Sequence, residues 1–543
     1  MSAMSTFDRA RAAFDAWDQA RGDNFFEADD FFRAALADFL GETRFDAERA
    51  GLSAFGVEAA GPIDRLARET NRDEHLPRLR RWDDHGRRTE EVVFHPGYEE
   101  IGERVYRTGI IGRYATPGDE LVQLAYAYLL CHSGEAGHMC PVACTAGLVK
   151  LLQRNADEAL KARLLPGLLR TDRNHPEHLH GAQWLTEVQG GSDVGSNASV
   201  ARETEDGWRV WGEKWFCSVA DADVFLVTAR PEGAKAGTRG LATFAMPRVC
   251  PDGSTNRFYL RRLKNKLGTR SMASGEVDLD GALAWPIGPL EGGFRDTVEV
   301  VLGTSRLHNA VAACGSMRRA ELDALTYAAH RTAFGQPIDR FPLVARSLAR
   351  MRADTRGSVL STFDLVATAD RIARGEADEA DQAFFRIGVC MNKYWTSVRA
   401  TAVIHEGIEV LGGNGTIEDF SVLPRLYRDA IVMESWEGTH NVLCAQVLRD
   451  MARFQLHRPF FARVRALAAN GDETLRSRLD ARLDVEEHAA ERLADATPDE
   501  AQTRVRDLID QMMVTWQAAS LSRLAARAPY PDAVTDAMRL LDA

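Results

Sequence analysis

The sequence predicts a mainly α-helical protein with a central all-β domain. Apolar residues recur at helical spacing in the flanking parts of the chain, as in Leu121, Leu124, Ala125 and Leu129. In the middle, short apolar runs alternate with Gly, Asp and Asn turns, a pattern typical of strands. Because 543 residues exceed what one simple core accommodates, we expect several domains.

Changes in this pattern divide the chain into four predicted regions. We expect an N-terminal helical domain over residues 1–180, a β domain over 181–295 and a helical bundle over 296–453. An extra helical region follows over residues 454–543. The order is therefore helices, strands, helices and a helical tail.

The first region is expected to be divided into short helices, because proline cannot continue a helical hydrogen-bond ladder. The prolines that punctuate it are Pro62, Pro77, Pro96, Pro117, Pro141 and Pro166.

The β prediction begins near Gly181 and rests on four strand-like runs. These runs cover residues 208–211, 224–227, 241–244 and 276–279. After them, long helical patterns predict a bundle. They cover residues 297–330 and 340–374.

The tail contains a strong helix start at Thr497, whose hydroxyl can cap the helix, with Pro498 in the first turn. An apolar stripe behind it predicts a core or interface face rather than a ligand site. It consists of Leu508, Ile509, Met512, Met513 and Trp516.

Composition limits the function classes. The eight cysteines include one close pair, Cys140 and Cys144, without a matching His or Cys cluster, so we expect buried thiols in a reducing cytoplasm and no metal site. No run of 18 apolar residues predicts a membrane span, and the N-terminus lacks the pattern of a secretory signal.

Charge argues against nucleic acid as the main partner. The formal net charge is −12, and phosphate contacts dominate nucleic-acid affinity. Residues 454–543 contain 12 arginines, no lysine and 15 acidic residues, a net charge of −3. DNA binding is therefore disfavoured, although arginines grouped on one helix face would reverse this expectation.

Residues 185–197 form a candidate binding loop. Gly190 and Gly191 permit a sharp turn and close backbone approach to a ligand. The hydroxyl groups of Thr186 and Ser192 could hold a polar ring edge or a phosphate. From spacing alone, a loop rich in turn-forming residues is the better explanation of the segment, and a dinucleotide fingerprint is absent.

Three other segments offer suitable side chains. Trp215 supplies a large flat surface and Ser218 a hydroxyl, although a core tryptophan is the plainer interpretation. The planar guanidinium of Arg331 suits a pyrophosphate, against the alternative of a surface arginine before a turn. Glu437 is a candidate base, against the alternative of a helix-capping acid, and we expect nearby Glu434 to be structural.

Together these segments resemble the acyl-CoA dehydrogenase family of flavoproteins, and especially its AidB-type branch. The likeness covers roughly residues 90–453, with the motifs in family order. It rests on Thr186-Glu187 with Gly191-Ser192-Asp193, on Lys214-Trp215 with Ser218, on Arg331 with Phe334-Gly335 and Pro337-Ile338, on Leu411-Gly412-Gly413, and on Trp436-Glu437-Gly438-Thr439.

The resemblance implies FAD as cofactor and a fold with an N-terminal helical domain, a β-barrel or sandwich domain and a C-terminal four-helix bundle. The cofactor contacts that it implies are Leu185, Thr186, Gly191, Ser192, Trp215, Ser218, Arg331, Phe334, Gly412, Gly413, Trp436, Gly438, Thr439 and Asn441. It implies that Glu437 removes the α-proton of an acyl-CoA thioester while hydride passes to the flavin.

The resemblance also implies partners. The Arg331 and Gly412 segments would reach the cofactor of a neighbouring subunit, so a homotetramer is expected, and an electron-transferring flavoprotein or similar acceptor would reoxidise the flavin. Glu409 replaces a glutamine common in the family, which leaves its role open, and His440 receives no role. The alternative that the AidB branch implies is a flavoprotein that binds DNA or protects against alkylation damage, with weak or no dehydrogenase activity.

Overall fold

The computed structural model describes residues 5–469, 471–527, 530 and 532–542. The first four residues of the predicted N-terminal domain, which also begin the segment inspected for a secretory signal, lie outside the described residues, as do parts of the tail. The chain forms two compact units. The first contains the chain up to Asp64, Pro117–Gly134 and everything from Asn309; the second contains Arg65–Thr116 and Glu135–His308.

Helices dominate the described chain. They are α1 (Thr6–Ala20), α2 (Asp30–Leu40), α3 (Glu42–Glu58), α4 (Asp64–Thr70), α5 (Pro96–Arg107), α6 (Glu120–His132), α7 (Met139–Asn155), α8 (Glu158–Leu168), α9 (Phe294–Asp296), α10 (Gly303–His330), α11 (Pro342–Ala373), α12 (Glu379–Leu411), α13 (Leu423–Ser435), α14 (His440–Phe454), α15 (His457–Ala468), α16 (Glu473–Asp495), α17 (Pro498–Arg527) and α18 (Asp532–Leu541).

The strands are short. They are β1 (Arg78–Trp82), β2 (Arg88–Val93), β3 (Gly181–Trp184), β4 (Val200–Thr204), β5 (Gly207–Ser218), β6 (Val224–Pro231), β7 (Ala242–Pro247), β8 (Phe258–Leu263), β9 (Ser274–Leu283), β10 (Trp285–Pro286), β11 (Thr332–Ala333) and β12 (Gln336–Pro337).

The second unit contains an eight-stranded sheet in the order β10-β7-β6-β4-β5-β9-β8, with β3 pairing in parallel to β6. Seven of the eight residues of β6 are buried, which fits its place inside the sheet and its largely apolar sequence. The predicted strands are confirmed: the runs at 208–211, 224–227 and 276–279 lie in β5, β6 and β9, and 241–244 overlaps β7.

The first unit is built from long helices. Asp378 caps α12 with a reciprocal capping box. At the start of α17 the Thr497 hydroxyl accepts from the Glu500 N–H at 3.5 Å, which is the cap that the sequence predicts. The predicted stripe of α17 is buried, and its Trp516 meets the edges of Phe384 and Phe460 at ring-centroid distances of 5.2 and 5.7 Å. The stripe is therefore a core face that fixes the tail to α12.

The expectation that the first region is wholly helical is wrong in one segment, because β1 and β2 form an antiparallel hairpin. Three prolines also lie inside helices instead of separating them. Pro141 falls in the first turn of α7, where the missing N–H has no helical partner. Pro62 occupies a π-helical turn over Ala59–Ile63, and Pro166 lies in the last turn of α8.

The four predicted domain boundaries remain a prediction, since contacts group the chain into two units instead. One contact shows why helices of the first region join the bundle: the Asp370 carboxylate of α11 accepts from the N–H groups of Glu120 and Leu121 at 2.6 and 3.2 Å. These N–H groups begin α6 and have no helical acceptor of their own.

The composition predicts buried thiols and no membrane span. The eight cysteines are free thiols, of which seven are buried and Cys250 is partly exposed. Among the described residues, every helix is too short or too polar to cross a bilayer.

Candidate functional site

The loop after β3 closes on itself around Thr186. Gly190 has φ +139°, a conformation that favours glycine, and pairs with Glu187 in an isolated bridge. A Cβ at Gly191 would come within 2.6 Å of the Thr186 hydroxyl, so only glycine allows this close approach. The adjacent Ser192 is exposed.

A buried ion pair anchors this loop to the sheet. The Lys214 ammonium donates to a Glu187 carboxylate oxygen at 2.7 Å and to the Thr228 carbonyl at 2.8 Å. Glu187 also accepts from the N–H groups of Ala198 and Ser199. Burial raises the pKa of Glu187, but the Lys214 charge and these hydrogen bonds outweigh it and lower this pKa to about 2. Glu187 is therefore a structural anchor inside the motif.

The end of β5 lies against the same loop. The N–H of Trp215 donates to the Thr186 carbonyl at 2.9 Å, and the Trp184 indole donates to the Ser218 carbonyl at 2.9 Å. Trp215 is half-buried rather than a core tryptophan, with the Lys264 ammonium 3.6 Å from its ring centroid. Asn197 fixes the neighbouring Leu185 by donating to its carbonyl at 2.8 Å.

Arg331 precedes a tight hairpin of β11 and β12 in the first unit. Phe334 and Gly335 form its tip with φ +50° and +89°, the left-handed pair of a two-residue hairpin turn. The Phe334 side chain is 97% exposed, and Arg331 is exposed as well. Such a conformation is strained for an aromatic residue and presents its ring outward.

Gly412 and Gly413 form a second glycine cluster, after Gly190 and Gly191. Gly412 ends α12 with φ +61°, and Gly413 follows it on the surface. Tyr327 of α10 links this cluster to Arg331. Its carbonyl accepts from the Arg331 N–H at 2.8 Å, and its hydroxyl accepts from the Asn414 amide at 3.2 Å. The side chain of Glu409 is exposed.

Glu437 lies in a turn between α13 and α14, residues 436–439, which we call the Glu437 turn. Its φ is +58° and that of Gly438 is +104°, so two consecutive residues occupy the left-handed half of conformational space. Glu437 is half-buried. Thr439 occupies the N-cap position of α14, so the alternative that Glu437 is the helix cap does not hold.

Two buried side chains hold this turn. Lys393 of α12 is 1% exposed, and its ammonium donates to the carbonyl oxygens of Glu434 at 3.2 Å and Gly438 at 2.9 Å. The Trp436 indole donates to the Asn309 side-chain oxygen, and the Asn309 amide donates to the Ser397 hydroxyl at 2.9 Å. The turn is therefore fixed on both sides of Glu437.

Glu434 is structural, as the sequence predicts. Its carboxylate accepts from the Thr401 hydroxyl and pairs with His440 Nε2 at 3.0 Å. Burial raises the pKa of Glu434, and the contacts with His440 and Thr401 lower it overall. His440, to which the sequence assigned no role, thus joins the end of α13 to the start of α14.

The structure gathers the candidate residues into three groups. Thr186 brings together Gly191 and Trp215 in the second unit, while Tyr327 joins the Arg331 and Gly412 segments in the first. The Glu437 turn forms the third group. Lys393 and Gly412 are separated by 19 residues, almost all in α12, or about 28 Å along a helix. The second and third groups of one chain are therefore far apart.

One metal-ligating cluster occurs among the described residues, formed by Glu69, His75 and His95. Hydrogen bonds account for it. His75 Nδ1 lies 3.0 Å from the Glu69 carbonyl oxygen and 3.1 Å from its carboxylate, which makes Nδ1 a donor. His95 Nδ1 accepts from the Gly97 N–H at 3.1 Å, so its Nε2 carries a proton rather than a lone pair for a metal.

Comparison with known proteins identifies the family. The chain is 34% identical to acyl-CoA dehydrogenase family member 11 of Caenorhabditis elegans, over 78% of this chain and 70% of that protein. It is 36% identical to the putative acyl-CoA dehydrogenase AidB of Escherichia coli, over 69% of each chain. The chain belongs to the acyl-CoA dehydrogenase family.

Three domain families match successive segments of this chain. Residues 17–174 match the adaptive response protein AidB N-terminal domain, residues 182–282 the acyl-CoA dehydrogenase middle domain, and residues 291–452 the acyl-CoA dehydrogenase C-terminal domain. The crystal structure of C. elegans ACDH-11 in complex with C11-CoA superposes with a TM-score of 0.89 at 29% identity, over 95% of this chain and 90% of that one.

Family membership confirms three predictions from the sequence: the fold class, the relationship to AidB-type proteins and the class of FAD-dependent oxidoreductase. The roles of single residues remain predictions. Sequence reasoning missed Lys393 and Asn309, which touch the Glu437 turn from distant helices. Their only local signal is a cation or amide in an otherwise apolar helical stretch, and such a residue does not reveal its partner.

Proposed function

We propose that this chain dehydrogenates an acyl-CoA thioester between its α and β carbons, with FAD as hydride acceptor and Glu437 as the base. The observation that carries the proposal is the Glu437 turn. A half-buried carboxylate is held in a left-handed conformation that the surrounding hydrogen bonds of Lys393 and Trp436 fix. Backbone strain of this kind persists where neighbouring structure over-determines it, and it is concentrated at active sites.

The residues present fit the proposed cofactor. The loop at Gly191 leaves no room for a side chain on the Thr186 side, and a glycine there permits close approach of a ligand to the backbone. Trp215 provides an adjacent flat surface beside the Lys264 cation. Bound FAD would accept the β-hydride. Thr186, Ser192, Trp215 and Ser218 would hold its ring, while Glu437 takes the α-proton.

The Arg331 and Gly412 segments, which Tyr327 joins and which we call the Arg331 group, support an oligomer. The Gly412 end of α12 lies about 28 Å along the helix from the Lys393 position that holds the base. At that distance, Arg331 is better placed to act at the site of a neighbouring copy than at the site of its own Glu437. Phe334 is 97% exposed and Leu343 78%, and contact with another copy would remove such apolar side chains from water. We therefore propose a homotetramer in which Arg331 reaches the FAD pyrophosphate of a neighbouring subunit.

C11-CoA is the first substrate to test, because the C. elegans ACDH-11 structure, to which this chain is similar, is a complex with it. The electron acceptor would be an electron-transferring flavoprotein or a similar protein. The free thiols support a cytoplasmic location.

DNA binding receives little support from the tail. Arginines of residues 454–543 are largely neutralised by carboxylates, which removes the counterion release that drives DNA affinity. The pairs are Arg463–Asp364, Arg465–Asp484, Arg478–Asp542, Arg482–Glu486, Arg523–Asp38, Arg527–Asp38 and Arg539–Asp536.

Anaerobic bleaching of the flavin tests the proposal. The FAD-loaded protein is mixed with C11-CoA and with short, branched and aromatic thioesters, and absorbance at the flavin band is followed. Glu437→Gln should bind FAD normally and reduce the rate of bleaching by about 10³-fold, since general acid–base catalysis contributes on this scale. Glu379→Gln, the same change at an exposed position at the start of α12, is the control.

Bleaching by one class of thioester that Glu437→Gln abolishes would support the dehydrogenase and name its substrate. If FAD is bound but no thioester bleaches it, the proposal is wrong. A filter-binding assay with duplex DNA would then test the remaining function that the AidB branch implies.

A further inference from the structure

The tail touches α12 at Tyr394, the residue next to Lys393. The Tyr394 hydroxyl donates to the Asp510 carboxylate of α17 at 2.6 Å and accepts from Arg506 Nε at 2.9 Å. The Arg506 guanidinium also lies 5.2 Å from the Tyr394 ring centroid. One helix of the tail therefore grips this tyrosine by three contacts.

Tyr394 passes this constraint to the Glu437 turn. Its ring meets the His440 ring edge-on, with centroids 5.2 Å apart and planes at 81°. His440 begins α14 and pairs with Glu434, near the end of α13, at 3.0 Å. These two helices flank the Glu437 turn. Tyr394, which the tail holds, contacts His440 at the C-terminal end of the turn, and His440 in turn pairs with Glu434 at its N-terminal end.

Lys393 holds the same turn from within, because its ammonium bonds the Glu434 and Gly438 carbonyls. Two consecutive residues of α12 thus restrain one turn. Lys393 binds its backbone directly, while Tyr394 joins it to the tail. This turn needs such restraint, since Glu437 and Gly438 both have left-handed φ angles and would relax if released.

We propose that the C-terminal tail is a positioning element for the Glu437 turn, acting through Tyr394 and His440, with Lys393 as a second positioning residue. This inference rests on the proposed function, because it is the role of Glu437 as base that gives the position of the turn its importance. A displacement of about 1 Å at a reacting group can slow a reaction about 100-fold. The tail thus acts on the site without contributing a catalytic residue.

The plainer explanation is that Tyr394 only fixes the tail to α12. The two explanations differ in what happens to the turn. If Tyr394 serves docking alone, loss of its hydroxyl loosens α17 and leaves residues 436–440 unchanged. If it positions the turn, the same loss loosens the turn while α12 and α13 stay intact.

Hydrogen–deuterium exchange on the full-length, FAD-loaded protein distinguishes them. Lys393→Met should speed exchange across residues 436–440 by about tenfold, because it removes two hydrogen bonds from a charged donor. Tyr394→Phe keeps the ring against His440 but loses both hydrogen bonds to α17, and should speed exchange there about threefold, since these bonds reach the turn only through His440. The matched control is Asp507→Asn, an exposed carboxylate one turn before Asp510 on α17.

Flavin reduction by C11-CoA gives the second readout. Both variants should lower the rate constant at saturating thioester more than they raise KM, since the turn presents the base rather than binding the substrate. If Lys393→Met fails to fold, Tyr394→Phe still decides the question. A folded Tyr394→Phe protein whose turn exchanges as in the wild type would overturn the proposal. If the wild type reduces no flavin, the proposed function fails, whereas exchange at the turn still reports whether the tail restrains it.

Discussion

The Lys393 ammonium donates a hydrogen bond to the Gly438 carbonyl oxygen at 2.9 Å, directly after Glu437 in the chain. Lys393 is 1% exposed, so its ammonium is largely shielded from water, and hydrogen bonds to a charge are strong in such a place. It closes a turn in which Glu437 and Gly438 both have positive φ. The contact with Lys393 therefore fixes the backbone that carries the base.

The left-handed backbone of Glu437 predicts an unusual order of stability. Glu437→Gly should be more stable than Glu437→Ala by about 1 kcal/mol, because the left-handed conformation strains any residue with a Cβ. Both variants should lose flavin reduction. Urea unfolding of the two FAD-loaded variants measures the difference, and equal midpoints would show that the turn relaxes and carries no strain.

The contact between Gly191 and Thr186 predicts weaker cofactor binding. Gly191→Ala places a Cβ within 2.6 Å of the Thr186 hydroxyl, so the loop must shift, and FAD affinity should fall about tenfold as one or two contacts are lost. Quenching of flavin fluorescence during titration measures the affinity. Gly303→Ala is the control, since nothing lies within 4 Å of that position, and unchanged affinity in Gly191→Ala would contradict a tight loop.

The buried pair of Glu187 and Lys214 predicts acid sensitivity. The folded pKa of Glu187 is about 2, below its ordinary value of 4.5, so the pair stabilises the protein fully above pH 4.5 and loses this effect as pH falls toward 2. Glu187→Gln should lower Tm at pH 7, since it leaves Lys214 buried without its counter-charge. Its Tm difference from the wild type should shrink across this pH window.

The double variant Glu187→Gln with Lys214→Met provides the control for that experiment. Removing both charges should recover much of the lost Tm, because the buried cation disappears together with its partner. A difference from wild type that stays constant between pH 6 and pH 3 would show that folding does not shift the pKa of Glu187.

The features that the sequence predicts are those written in short segments. The cap at Thr497 and the turn at Gly190 and Gly191 depend on neighbours within a few residues, so the local residue types are enough to predict both features. The β1–β2 hairpin escaped prediction because β1 is almost wholly exposed and rich in arginine, without the apolar alternation of a half-buried strand.

Contacts between distant segments account for the rest. Lys393 and Gly438 are 45 residues apart, and Trp436 and Asn309 are 127 apart. A helical pattern around residue 393 shows that the position is buried but not which carbonyl its ammonium meets. The separation of the Arg331 group from the Glu437 turn likewise follows from the unbroken length of α12, which periodicity suggests only in outline.

That separation leads to a prediction about mixed oligomers. If Arg331 serves the FAD of a neighbouring copy, then Glu437→Gln and Arg331→Met, each inactive alone, should complement each other when mixed and reassembled. In a hybrid pair with two-fold symmetry, one site has both native residues and the other has neither, so random mixing should restore about a quarter of wild-type flavin reduction. Mixing Glu437→Gln with the double variant Glu437→Gln/Arg331→Met is the control and should restore nothing. Failure of the first mixture to recover activity, with hybrids confirmed by native mass spectrometry, would place Arg331 and Glu437 of one chain at the same cofactor.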